Sequence, residues 1–93
     1  MNKYLKKVRT ITISEVASKL IEQLPSKFQR CLIGKLEQLM THFESTDMLI
    51  DSGFNIENID NNITISTKIE KQLVKIFIVR TITTNHIKHI EIS

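Results

Sequence analysis

The sequence predicts an α+β domain: an N-terminal strand, then a two-helix hairpin packed on one face of an antiparallel sheet, then a C-terminal three-stranded meander. Three observations carry that expectation. Apolar residues recur at helical spacing from Val16 to Phe43, with one interruption at Pro25. β-Branched residues alternate with polar ones from Ile63 to Ile92, punctuated by short polar clusters. The length of 93 residues allows a single core, so both patterns belong to one domain spanning residues 1–93.

Val8 to Ile13 opens the chain as a strand, with Ile11 and Ile13 on one side and Thr10 and Thr12 on the other. Ser14 is placed to cap a first helix whose stripe is Val16, Ala17, Leu20, Ile21 and Leu24. Pro25 ends it, because proline lacks the amide hydrogen and crowds the preceding turn. Ser26 with Gln29 three residues on reads as a capping box for a long second helix. Its apolar face is Phe28, Leu32, Ile33, Leu36, Leu39, Met40 and Phe43. Gly34 lies on the polar side and costs about 1 kcal/mol there relative to alanine, for which close approach of another chain is the one account the sequence offers.

From Glu44 to Asn62 the periodicity lapses into turn chemistry around the apolar plugs Met48–Ile50 and Phe54–Ile59, so a long acidic connection is expected. Ile63 to Ile69 then alternates as a strand, and Glu70-Lys71-Gln72 turns. Leu73 to Ile82 is the most hydrophobic stretch, apolar on both parities, as expected of a strand covered on two sides. Val74, Ile76, Ile78 and Ile82 share one face; Leu73, Lys75, Phe77 and Val79 share the other. Thr83-Thr84-Asn85 turns again, and His86 to Ile92 closes the sheet.

A hydrophobic content of 41% with 25% charged residues is that of an ordinary globular protein. No apolar run approaches the ~20 residues that span a bilayer, and no signal-like hydrophobic region follows Met1, so the chain is expected in the cytoplasm and off the membrane. The lone Cys31 has no disulfide partner within the chain and reads as a small buried residue. The net charge of +3 is unevenly spread: Lys3, Lys6, Lys7 and Arg9 open the chain, and Lys68, Lys71, Lys75, Arg80 and Lys88 occupy its last third. Between them lie Glu37, Glu44, Asp47, Asp51, Glu57 and Asp60 without a Lys or Arg after Lys35.

Sheet pairing has a period of two, so the length of the loop after Ile69 decides which faces meet. An even loop that sets Ile69 against Val74, Thr67 against Ile76 and Ile65 against Ile78 gives the helices one continuous apolar face. It also puts Lys68 opposite or near Lys75 on the other face, with Thr64, Ser66, Phe77 and Val79. Opposed like charges cost about 0.2–1 kcal/mol, which a bound phosphate would offset.

The order strand, helix, Leu-Pro break, second helix of the form Leu-Pro-x-x-x-Gln-x-x-x-x-x-Lys-Leu, connection and meander resembles the RelE/ParE superfamily of toxin-antitoxin toxins. The residues that carry it are Leu20-Ile21-Glu22-Gln23-Leu24-Pro25-Ser26-Lys27-Phe28-Gln29 through Gly34-Lys35-Leu36-Glu37-Gln38-Leu39. The resemblance implies a toxin: in the RelE-like branch an enzyme that cleaves mRNA on the ribosome and so inhibits translation, in the ParE-like branch one that acts on DNA gyrase. It also implies a small antitoxin protein as partner. Lys68 falls where the RelE-like branch carries a lysine before the hairpin, and Lys75 where it carries arginine after an aromatic residue. Two features depart from the family: Leu73-Val74-Lys75 replaces the usual Gly-Tyr-Arg, and Ser93 follows the last strand without the usual basic and aromatic tail.

Metal-independent RNA cleavage needs a base for the 2′-hydroxyl, positive charge for the phosphorane and an acid for the leaving oxygen. Lys68 and Lys75 supply charge and one proton transfer; His86, or alternatively His89, supplies the other. Lys68, Lys75 and His86 are thus the candidate catalytic set, and no cofactor is called for. Phe77 can stack a base. Arg80 has core-face parity and emerges at the strand end; with Lys71, Phe77 and Lys88 it completes the candidate RNA-binding set. A metal site from His86, His89 and Glu91 is disfavoured, since an offset of three on a regular strand points the histidines to opposite faces. Two non-enzymatic readings stand beside this one. The first is an inactive toxin relative or plasmid- or phage-encoded inhibitor that grips a protein through its sheet face or acidic connection. The second is a nucleic-acid module using Lys3 to Arg9.

Overall fold

The computed structural model describes residues 10–42, 46–59 and 61–93. The elements run β1 (Thr10–Ile13), α1 (Glu15–Glu22), α2 (Ser26–His42), α3 (Thr46–Asp51), β2 (Asn55–Ile59), β3 (Asn62–Ile69), β4 (Gln72–Arg80) and β5 (Thr84–Ile92). The five strands form one sheet in the order β1-β5-β4-β3-β2. β2 to β5 is an antiparallel meander, whereas β1 lies parallel to β5. The class is α+β as expected, but the sheet is mixed, and its meander has four strands rather than three.

Ser14 explains how β1 hands over to α1. Its backbone is extended (φ −70°, ψ 158°) and its Oγ accepts the Ala17 amide at 3.1 Å, satisfying one of the helix's orphan donors. At the next break Pro25 itself takes the cap position: the Gln29 amide donates to the Pro25 carbonyl at 2.8 Å. Ser26 is therefore the first helical residue rather than the cap, and Pro25, which offers neither a side-chain acceptor nor an amide hydrogen, cannot form the expected capping box.

The helices cover one face of the sheet. Ala17 and Ile21 of α1 and Phe28, Leu32, Leu36 and Leu39 of α2 are buried against Ile63, Ile65, Ile69, Val74, Ile76, Ile78, Ile87 and Ile90. The apolar stripe is narrower than the sequence suggested. Val16, Ile33 and Met40 are exposed, because the Phe28-Leu32-Leu36-Leu39 line already fills the contact and Ile33 and Met40 sit about 100° around the helix from it. Cys31 is exposed rather than buried, for the same reason. Nothing lies within 4 Å of where a Cβ on Gly34 would sit, so among the described residues no close approach accounts for that glycine.

The acidic connection is not irregular. α3 anchors through Leu49 and ends in a Schellman motif: the Phe54 amide donates to the Leu49 carbonyl at 3.0 Å, the Gly53 amide to Ile50 at 3.0 Å, and Gly53 takes φ 91°. The carbonyls at this end find further partners. Lys35 Nζ donates to Ser52 O at 2.9 Å while lying 5.4 Å above the Phe54 ring, and the buried Thr67 Oγ1 donates to Gly53 O at 3.1 Å. β2 follows directly and pairs with β3.

The β3–β4 hairpin keeps the expected parity but is two residues tighter. Ile69 faces Gln72, Thr67 faces Val74 and Ile65 faces Ile76. The turn is Glu70-Lys71 alone, both left-handed (φ 50° and 71°), as a twist-compatible two-residue hairpin requires. β4 ends at Arg80, and the next turn is organised by Thr81, whose Oγ1 accepts the amides of Thr83 (3.3 Å) and Thr84 (2.9 Å). Ile82 is thereby left 82% exposed instead of joining the core face, and Asn85, expected in the turn, is a buried residue of β5. No helix among the described residues is long and apolar enough to cross a membrane. Lys3 to Arg9, Phe43, Glu44 and Asp60 lie outside the described residues.

Candidate functional site: the sheet face opposite the described helices

β4 was expected to be covered on both sides. Instead, no described helix packs on its second face, where Leu73, Phe77 and Val79 are half-buried and Lys75 is exposed. The register builds this face as rows. Lys75 lies between Ser66 of β3 and Glu91 of β5; Phe77 lies between Thr64 and His89; Val79 lies between Asn62 and His86. Asn55 and Glu57 extend the first two rows onto β2, and Thr12 extends the third onto β1. Lys68 faces Leu73 at the hairpin end.

Lys68 and Lys75 are consequently diagonal neighbours, roughly 7–8 Å apart along the backbone diagonal, and not directly opposed. The shorter turn causes this offset and relieves much of the like-charge cost. The acidic groups on the face are Glu91, directly across from Lys75, and Glu57 at its rim. Glu70 of the hairpin turn lies 3.8 Å from Lys27 Nζ of α2.

The two histidines share this face, contrary to the parity expected of a regular strand. The pairing of β4 with β5 shifts between Phe77 and Ile78, so that Phe77 meets His89 while Ile78 meets Ile87. Lys88 is the extra, exposed residue of that bulge. Ser14 holds the bulge from the side: its amide donates to Ile87 O at 2.8 Å and its Oγ to Lys88 O at 2.9 Å. One inserted residue flips the parity of what precedes it, which brings His86 round to join His89. His86 Nδ1 then shares a 2.7 Å hydrogen bond with Thr12 Oγ1, tying β1 to β5.

Sharing a face does not put His86 beside Lys75. Four residues of β4 separate the row of Lys75 from that of His86, about 13 Å at the usual strand rise. His89 is one row away. Its ring centroid is 5.7 Å from that of Phe77 with a 33° tilt, and its Nε2 lies 3.6 Å from Glu91 Oε2. The expected set Lys68, Lys75 and His86 is thus brought together only in part: the lysines are neighbours and the nearer imidazole is His89. Of the candidate RNA-binding residues, Phe77 lies at the centre of the face. Lys71 is exposed at the hairpin tip, and Lys88 is exposed at the bulge. Arg80 pairs with the buried Asn85 on the helix-covered side and does not belong to the open face.

Ser66 was expected on this face; the pairing registers add that it lies directly opposite Lys75 on β3, and that Glu91 lies opposite Lys75 on β5. Among the described residues no group of three His, Cys, Asp or Glu side chains is gathered to hold a metal ion. A separate groove of about 400 Å³ runs between α2 and the end of β3, lined by Cys31, Gly34, Lys35, Gln38, Lys68, Ile69 and Glu70. No protein-family model, curated protein or solved structure matches this chain.

Proposed function

We propose that this chain is a RelE-like toxin that cleaves single-stranded RNA, with mRNA on the ribosome as its target, and that it does so on the sheet face opposite the described helices. The observation that supports this reading is that Lys75, Phe77 and His89 occupy neighbouring rows on the sheet face opposite the described helices, with Lys68 diagonal to Lys75 at the hairpin end. In the proposed reaction the phosphodiester lies against Lys75, with Lys68 adding charge from the next strand. His89, oriented by Glu91, takes the proton from the 2′-hydroxyl. The O2′–P bond forms, the P–O5′ bond breaks, and the leaving O5′ receives a proton from the Lys75 ammonium. The products are a 2′,3′-cyclic phosphate and a 5′-hydroxyl. Positive charge stabilises the phosphorane more effectively than the ground-state diester, which is where the lysines contribute to rate.

Within the same reading a small antitoxin protein keeps the enzyme silent. The exposed Ile33 and Met40 on α2 are apolar surface suited to such a partner. Induced expression tests the proposal: growth should arrest, transcripts should be cut, and Lys75→Ala should relieve both by about 100-fold or more, the scale of a lost transition-state contact. Normal growth with abundant intact, folded protein would refute the toxin reading. It would favour a non-enzymatic binding protein, for which a pull-down should recover one stoichiometric protein partner.

A further inference from the structure

Gly34 has no explanation within the described chain. It stands in the middle of α2, where glycine is a poor helix former, and nothing lies within 4 Å of where its Cβ would sit. The open space is the groove of about 400 Å³ between α2 and the end of β3, which Gly34 lines with Cys31 and Gln38 on the helix side. Spacings of three and four residues put these three on one helix face. The missing side chain at its centre leaves helix backbone open to a second main chain at close range.

The strand side of this groove is unfinished. β2 begins at Asn55, opposite Ser66, whereas β3 runs on to Ile69. Lys68 and Ile69 therefore pair with β4 on one side and with no described strand on the other. This gap lets Lys68 line the groove although its parity puts it on the opposite sheet face. A free stretch of strand edge offers amides and carbonyls to an extended segment lying in line with β2. Charge sets the composition of that segment. Lys35 and Lys68 line the groove against Glu70 alone, and Glu70 already lies 3.8 Å from Lys27. Lys35 is held in place by Ser52 O at 2.9 Å and by the Phe54 ring, which leaves the exposed Lys68 as the cation able to meet an incoming carboxylate.

We propose that the groove between α2 and β3 docks an extended acidic segment of a protein partner, its main chain passing over Gly34 along the free end of β3 and a carboxylate meeting Lys68. This surface is separate from the exposed Ile33 and Met40, which lie on another side of α2. The proposal makes no use of the RNA reading and can hold or fail without it.

The test reads fluorescence anisotropy of a labelled hexapeptide alternating valine and glutamate, beside its lysine-for-glutamate counterpart and a version with N-methylated amides. The acidic peptide should bind the whole chain saturably and more weakly as salt rises; the other two should not bind. Gly34→Ala and Gly34→Gln should both melt at a higher temperature than wild type, because both residues are better helix formers than glycine. Both should nevertheless bind the peptide more weakly, the glutamine variant by about 5- to 150-fold, the scale of forcing extra atoms into a filled contact. A variant that is more stable and binds less well does not owe the loss to unfolding. Lys68→Gln should weaken binding and flatten its salt dependence. Failure of the wild-type protein to bind the acidic peptide at low salt would overturn the proposal, as would equal affinity in wild type and Gly34→Gln. Equal binding of the lysine counterpart would overturn the charge argument, and equal binding of the N-methylated peptide the pairing with β3. Tripolyphosphate that binds as tightly as the peptide, and loses as much in Gly34→Gln, would overturn the protein partner in favour of a free anion.

Discussion

Ser14→Ala is the perturbation that bears most directly on how the open face is built. The Ser14 side chain makes two bonds of different kinds: Oγ accepts the Ala17 amide at 3.1 Å and donates to the Lys88 carbonyl at 2.9 Å. Loss of an N-cap serine costs about 1 kcal/mol. Loss of the second bond, part of whose surroundings is solvent, costs about 0.5–1.5 kcal/mol. The sum is about 1.5–2.5 kcal/mol, which for a domain of this size lowers Tm by roughly 4–8 °C per kcal/mol. Urea denaturation with an unchanged m-value measures it. Ser14→Asp separates the two contributions, because a carboxylate still accepts from Ala17 but cannot donate to Lys88 O. It should recover the cap and still lose the bulge contact, visible as faster amide exchange in β1 and the first half of β5. A Ser14→Ala variant within about 0.5 kcal/mol of wild type would refute the reasoning that one hydroxyl secures both helix and bulge.

Two further substitutions test the fold at positions where the sequence is locally unfavourable. Gly34→Ala should stabilise by about 1 kcal/mol, since alanine is the better helix former and open space surrounds the new methyl; destabilisation in a thermal melt would show that the position is crowded. Lys71→Gly should stabilise by about 0.5–1 kcal/mol, the left-handed cost of about 1–2 kcal/mol less the flexibility penalty of glycine. The same variant should weaken binding of a single-stranded RNA, as the place of Lys71 in the candidate RNA-binding set predicts; unchanged affinity would remove it from that set.

Legibility differed sharply between elements. α1, the Pro25 break and α2 were readable because a repeat of 3.6 residues and a proline act locally. α3 and β2 were missed for lack of length: six and five residues hold too few apolar positions to show a period. A usable signal was nonetheless present in Asp51-Ser52-Gly53, a glycine one step past a helix end. The lysines, Phe77 and the apolar face of β4 sorted correctly because any even hairpin loop gives the same parity. The choice of a two-residue turn did not follow, since Glu70 and Lys71 are not residues that favour a left-handed backbone. Arg80 was likewise readable as belonging to the core side, where its pairing with Asn85 puts it.

By itself, then, the sequence determined the class of the domain, the buried faces of its helices and which side chains of β3 and β4 point away from them, because side-chain periodicity is a local property of the backbone. Only tertiary structure decided that β1 joins β5 in parallel, that the hairpin slips by two, and that one extra residue at Lys88 turns His86 and His89 to the same side. Those are outcomes of pairing. They depend on which carbonyl meets which amide across strands far apart in the chain, with Ser14 and Lys88 as the example, and no periodicity along a single strand encodes such a match.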